Sequence, residues 1–129
     1  MDAGADVAAL IERYNAAWNA HDVETISSLH TDDIVFANHT AGETAAGRDV
    51  VARHIAGIFE RWPDLSFRAR RLYASESHAV CEWTATGTAS DGRRLEWDGV
   101  DVFPIREGRI ARKDIYSSSH APRVIESAS

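Results

Sequence analysis

Apolar residues recur at helical spacing in the first half of the chain and at strand spacing in the second. Val7, Leu10, Ile11, Tyr14, Ala17, Trp18 and His21 fall on one stripe of a predicted helix. Asp22 is placed to cap a second, short helix with Val23, Ile26 and Leu29 as its apolar side. "DDIVFANHT" predicts a short strand and "AGETAAG" a small, turn-rich loop. Val51, Ile55, Ile58, Phe59 and Trp62 mark a third helix, which Pro63 ends.

From there the period becomes two. "LSFRARRLYA" and "HAVCEWTATGTA" predict two strands, "SDGR" a tight hairpin, "EWDGVDVFPI" a third strand and "REGR" a second turn. "IARKDIYSSS" closes the sheet, and "APRVIESAS" reads as a loose tail. Helices, a short strand, a helix and a four-strand meander predict an α+β fold. Its curved, mostly antiparallel sheet is closed by the N-terminal helices into a cone with an internal pocket. One domain spans residues 1–129, with loose termini at about 1–5 and 119–129.

In "EWDGVDVFPI", alternation puts Trp97, Gly99, Asp101 and Phe103 on one face and Asp98, Val100 and Val102 on the other. An aspartate between a glycine and a phenylalanine on an apolar face needs a partner. From the residues alone, that partner is a sheet arginine such as Arg94 or Arg112. Tyr14 is explained by core packing with one satisfied hydroxyl. Trp18 and Phe36 suit a core or a pocket wall, and Trp83, Trp97 and Phe103 line the cone if their face is inward. Lys113 and Asp114 on the last strand have two open readings, the outer sheet face or the pocket.

Composition narrows the chemistry. At 129 residues, 44% apolar and 26% charged, the chain has the make-up of a soluble domain. A net charge of −6 argues against a nucleic-acid partner, and "FRARRLY" reads as a solvated strand face. Cys81 is the single cysteine, so neither an intrachain disulfide nor a cysteine metal site is expected. The six histidines show no HxH or HExxH spacing, and no metal site is expected. The acidic N-terminus is unlike a signal peptide, and no apolar run reaches membrane-spanning length. The expectation is a cytoplasmic protein with no membrane partner.

"IERYNAAWNAHD", "LHTDDIVFAN", "RWPDLSF", "AVCEWTATGT", "WDGVDVFPI" and "EGRIARKDIY", in that order, resemble the nuclear-transport-factor-two-like superfamily. The similarity is to its branch of SnoaL-like polyketide cyclases, ketosteroid isomerases, limonene epoxide hydrolases and scytalone dehydratase. It implies a cystatin-like α+β barrel, a small hydrophobic ligand, no cofactor and a homodimer formed through the outer sheet face. Ketosteroid isomerases use a tyrosine and a protonated aspartic acid as an oxyanion hole; Tyr14 and Asp101 fall on those positions. Their general base corresponds to Asn38, an amide that takes up no proton at ordinary pH. The resemblance therefore leaves His39 or Asp114 to supply the base. Where the superfamily's epoxide hydrolases carry an Arg-x-Asp pair, this chain has Trp83 and Ala85, which argues against epoxide hydrolysis. The cyclases' last-strand aspartate aligns with Ile115, one residue after Asp114, and a one-residue shift would flip the faces. The resemblance thus implies catalytic roles for Asp101, Tyr14, Asn38, His39 and Asp114, and ligand contacts from Trp18, Phe36, Trp83, Trp97, Phe103 and Ile115. The reaction expected is enolisation-type cyclisation, isomerisation or dehydration of a cyclic or polyketide-like carbonyl compound. A noncatalytic binding or dimeric assembly domain is the alternative.

Overall fold

The computed structural model describes residues 2–128. Helix α1 (Ala3–Asn19) begins under an Asp2 cap, whose Oδ1 accepts the Ala5 N–H at 3.2 Å. Asp22 caps α2 (Val23–Ser28) through Thr25. Strands β1 (His30–Asn38) and β2 (Glu43–Ala46) lead into α3 (Arg48–Arg61). The meander is β3 (Ser66–Ala74), β4 (His78–Thr88), β5 (Arg94–Arg106) and β6 (Arg109–Ser117), and β7 (Arg123–Glu126) follows.

The strands form one curved sheet in the order β2-β1-β6-β5-β4-β3, with β7 paired to β5. All pairs are antiparallel except β1 with β6. Helix α1 packs on β3 and β4, while α3 covers β1 and β2 and meets α2. The fold is α+β, as the order of elements predicted. The buried stripe of α1 is Val7, Leu10, Ile11, Tyr14, Ala17 and Trp18, six of the seven positions expected. His21 lies beyond the helix end at φ 53°, with its ring 4.1 Å from that of Phe59.

Three short segments differ from the sequence reading. "AGETAAG" contributes β2, because Val35 to Asn38 offer it a free edge. Residues 3–5, taken as loose, form the first turn of α1. The C-terminal segment is not a loose tail. It adds β7 to β5, held by Arg123 between Glu96 (2.9 Å) and Asp98 (2.7 Å). Four residues of mixed polarity carry too weak a period to announce a strand; the β5 edge and these ion pairs supply what the local pattern lacks.

Register decides what reaches the interior. Asp101 on β5 pairs with Cys81 on β4 and Ile115 on β6. Trp83 pairs with Gly99. A Cβ added at Gly99 would lie 2.3 Å from the Trp83 ring, so only glycine lets that indole lie flat across β5. Gly99→Ala is expected to force Trp83 out of place and cost about 1–3 kcal/mol, as overpacking does. Chemical denaturation checks the loss, and quenching of tryptophan fluorescence by a bound ligand checks the disturbed wall. No helix among the described residues is long and apolar enough to cross a membrane.

Candidate functional site

The concave side of the sheet encloses a cavity of about 320 Å³. Its walls are aromatic: Trp18 from α1, Phe36 from β1, Trp83 from β4, Trp97 from β5 and Trp62 just past α3. Trp62 and Trp97 lie 5.4 Å apart, centroid to centroid. Asn38, Glu43, Arg61, Ser117 and Ser119 are polar residues around it.

Asp101 and Lys113 also line this cavity, and each is only 5% exposed. Lys113 Nζ stands 3.8 Å from Asp101 Oδ2, an ion-pair contact longer than a hydrogen bond. The ammonium is also held by π faces, 3.9 Å from the ring centroid of Trp18 and 5.0 Å from that of Tyr14. Burial pushes the Asp101 carboxyl above the usual carboxylate range, against the pull of the Lys113 charge. Burial likewise holds the Lys113 amine below the usual lysine range, against the pull of Asp101. Desolvation thus drives the two groups toward neutrality, and their mutual attraction opposes it. Asp101 Oδ1 is buried with no hydrogen-bond partner, as are the indole nitrogens of Trp18 and Trp83. Such unpaired polar groups are uncommon in a core.

A second cavity of about 130 Å³ shares Trp18, Phe67, Trp83, Asp101 and Lys113 with the first and is further lined by Asn15, Asn19 and Cys81. The pair therefore stands between two spaces.

The structure redistributes the expected residues. Asp101, Trp18, Phe36, Trp83, Trp97 and Ile115 all line the main cavity, and Asn38 does so with its Oδ1 capping the Ala41 N–H at 3.1 Å. Asp101 pairs with Lys113, not with Arg94 or Arg112, which reach Asp64 and Asp114 instead.

Four residues are corrected. Asp114 points away from the cavity and is bound by His39 (2.8 Å) and Arg112 (2.9 Å). Burial alone would raise its carboxyl; hydrogen bonds from Arg112 and His39 outweigh that and hold it below the usual range. His39 follows Asn38 on the chain and takes the opposite face, where it stacks on Tyr116 at 4.5 Å. Neither is available as the cavity's base. Tyr14 is sealed in the core, its hydroxyl 2.9 Å from His30 Nε2 rather than on Asp101. Phe103 is fully buried against Tyr14, below the cavity rather than in its wall. His39→Ala is accordingly expected to leave any turnover unchanged. It should lower stability by about 0–1 kcal/mol, the worth of a partly exposed pair. Parallel rate and denaturation measurements check it.

Two residues, Trp62 and His30, escaped the sequence reading, and Lys113 was left open between the pocket and the outer sheet face. Lys113 had a signal: it is the only lysine in a chain with thirteen arginines. Trp62 was read as helix-end packing, yet it forms cavity wall beside Gly87, where an added Cβ would sit 2.7 Å from its ring. His30 carried no signal in "LHTDD". It is fully buried, and its pKa is lowered to about 3 by burial and then by the charges of Lys113 and Arg48. Among the described residues no three His, Cys, Asp or Glu side chains converge as a metal site requires.

A family model described as a SnoaL-like domain matches residues 11–113. The chain belongs to this family. Solved structures of SnoaL-like shape agree in fold. An uncharacterized cystatin fold protein from Novosphingobium aromaticivorans has a TM-score of 0.75 at 24% identity, covering 90% of this chain and 98% of its own. TerC, co-crystallized with polyporic acid, has a TM-score of 0.81 at 18% identity, covering 90% and 94%. SalBIII is an epoxide hydrolase/cyclase-like enzyme of pyran ring formation in the polyether salinomycin. It has a TM-score of 0.80 at 17% identity, covering 92% and 95%. No curated protein matches the chain by sequence. At these identities the structural likeness speaks for the fold, and function rests on the site.

Proposed function

We propose that this SnoaL-like protein is an acid–base enzyme acting on a flat, hydrophobic cyclic or polyketide-like carbonyl compound, with its own side chains supplying the chemistry. The observation that carries the reading is the Asp101–Lys113 pair set among the tryptophans of the cavity. An ionised Asp101, desolvated and therefore more basic than a surface carboxylate, takes the proton from the carbon next to the carbonyl. The Lys113 ammonium sits beside it to hold the oxygen on which negative charge develops. The protonated Asp101 then returns the proton to a different atom. That completes an isomerisation, or drives a cyclisation or dehydration if the enol attacks or expels a group. The aromatic walls suit a flat ring system, and TerC, of similar fold, was co-crystallized with polyporic acid.

The missing carboxylate at Asn38 is thereby replaced. Asp101 becomes the base, and Lys113 takes the oxyanion role that Tyr14 and a protonated Asp101 would have filled. The test is exchange of α-hydrogens in D2O, followed by NMR over a panel of aryl ketones such as 1-tetralone. Exchange well above the buffer rate is expected for the compounds that quench tryptophan fluorescence. Quenching without exchange would leave a small-molecule-binding domain, the reading that Asn38 in place of the base favours. No quenching by any of them would sink the carbonyl ligand itself. A homodimer through the outer sheet face belongs to the same proposal; Tyr73 and Tyr116, about half exposed, are large apolar side chains at the surface. Sedimentation equilibrium tests it.

A further inference from the structure

Lys113 has a property that an electrostatic role leaves unused. Apart from the six histidines, every other basic side chain is an arginine, and arginines serve the surface ion pairs to Asp32, Asp33, Asp64, Asp91 and Asp98. A partner for Asp101 that only had to remain charged is what arginine provides, since its guanidinium never deprotonates in proteins. The single lysine is 5% exposed and contacts Asp101, a cavity carboxyl with a buried oxygen that has no hydrogen-bond partner. A lysine amine in a dry pocket becomes nucleophilic once it gives up its proton.

Building on the acid–base reading above, we propose that Lys113 attacks the carbonyl carbon of the ligand and forms a Schiff base, with Asp101 moving the protons. The Lys113 ammonium passes a proton to the Asp101 carboxylate. The free amine adds to the carbonyl carbon as the C=O π bond breaks onto oxygen, and Asp101 returns the proton to that oxygen, giving a carbinolamine. Asp101 then takes a proton from the nitrogen and delivers it to the hydroxyl, which leaves as water while the nitrogen lone pair forms the C=N bond. That nitrogen keeps its remaining proton, so the product is the iminium and Asp101 is again a carboxylate. The balance is one carbonyl and one ammonium to one iminium and one water, with no oxidant or reductant. The iminium then serves as the electron sink when Asp101 abstracts the adjacent α-proton. The smaller cavity beyond the pair, with Asn15 and Asn19 in its wall, gives the released water a polar space to enter.

Burial supports this geometry by holding the Lys113 amine below the usual lysine range and Asp101 above the usual carboxylate range. Both shifts favour the proton transfer that makes the amine available.

The composition makes the test clean, because Lys113 and the chain's terminal amine are the only primary amines. The full chain is incubated with 1-tetralone, a flat ring ketone with α-hydrogens, reduced with sodium borohydride, and read by intact and peptide mass spectrometry. The expected result is one adduct on the peptide containing Lys113, more than about tenfold over the terminal amine. It should be absent from Lys113→Arg, which keeps the charge, and slowed in Asp101→Asn. Circular dichroism and probe quenching establish that Lys113→Arg is folded and still binds. Probe binding and α-hydrogen exchange with no Lys113 adduct would overturn the Schiff base and leave the acid–base function standing. An adduct confined to the terminal amine would overturn it equally. An adduct at Lys113 without α-exchange would uphold the Schiff base and overturn the acid–base function.

Discussion

Asp101→Asn is expected to reduce turnover of an accepted carbonyl compound by about 10²–10⁴-fold, the usual worth of a positioned general base. The substitution keeps the size of the side chain at a site that is 5% exposed, so the aromatic walls stay in place. It removes the only carboxyl among the described residues that contacts Lys113. An amide accepts no proton at ordinary pH, which is the same reason Asn38 cannot serve. Ligand binding should survive, because Trp18, Trp83 and Trp97 remain in the cavity wall. The measurement is kcat beside a dissociation constant from tryptophan quenching. A fall in kcat with the dissociation constant roughly unchanged is the signature expected. A weakened complex at full kcat would move Asp101 from chemistry to binding.

Lys113→Met should be the most destabilising single change at this site, by about 3–5 kcal/mol near neutral pH. Methionine fills much of the same volume and still packs on Trp18, so the loss comes from charge and not from a cavity. Asp101 would be left buried without its ammonium. Its folded-state pKa is already above the model-peptide value of 3.8 despite Lys113, and it must rise further when that charge goes. The sign follows. Between 3.8 and the raised folded value, the unfolded chain has lost the proton and the folded chain keeps it, so stability falls as pH rises through that window. The defect of Lys113→Met should therefore shrink toward pH 4 and be fully developed above the folded pKa. Urea denaturation across this range measures it. The double variant Asp101→Leu with Lys113→Met removes both charges and should recover most of the loss, since apolar replacement of a buried ion pair is often neutral or stabilising. A double variant as unstable as the single one would show that shape, not charge, governs the site.

Much of the framework was legible in local pattern. The α1 stripe, the capping aspartates, the stop at Pro63 and the two tight turns each rest on a few neighbouring residues, where periodicity and backbone preference act directly. Alternation along β5 put Trp97, Asp101 and Phe103 on one face, and those residues do point inward. Sequence alone erred where the outcome depends on distant partners. Four residues become β7 because Arg123 meets Glu96 and Asp98, 27 and 25 positions away. Tyr14 is in the core with one satisfied hydroxyl, as its place on the α1 stripe suggested, but its partner, His30, is one that no spacing announces.

The last strand shows the division most sharply. Alternation demanded that Asp114 and Ile115 face opposite ways, and it could not say which was inside. The pairing of β5 with β6 decided it. Asp101 sits opposite Ile115, and the register shifts between Val102 and Ile105. That shift puts Ile110, Lys113 and Ile115 all inside despite their uneven spacing. By itself, then, the sequence determined the elements, their order, and an aspartate on an inward-facing strand, because these follow from interactions within a few residues. Only the tertiary structure decided that the aspartate's partner is the chain's one lysine. That choice depends on cross-strand register and on the low dielectric of a closed core, and both exist only once the sheet has curled around the cavity.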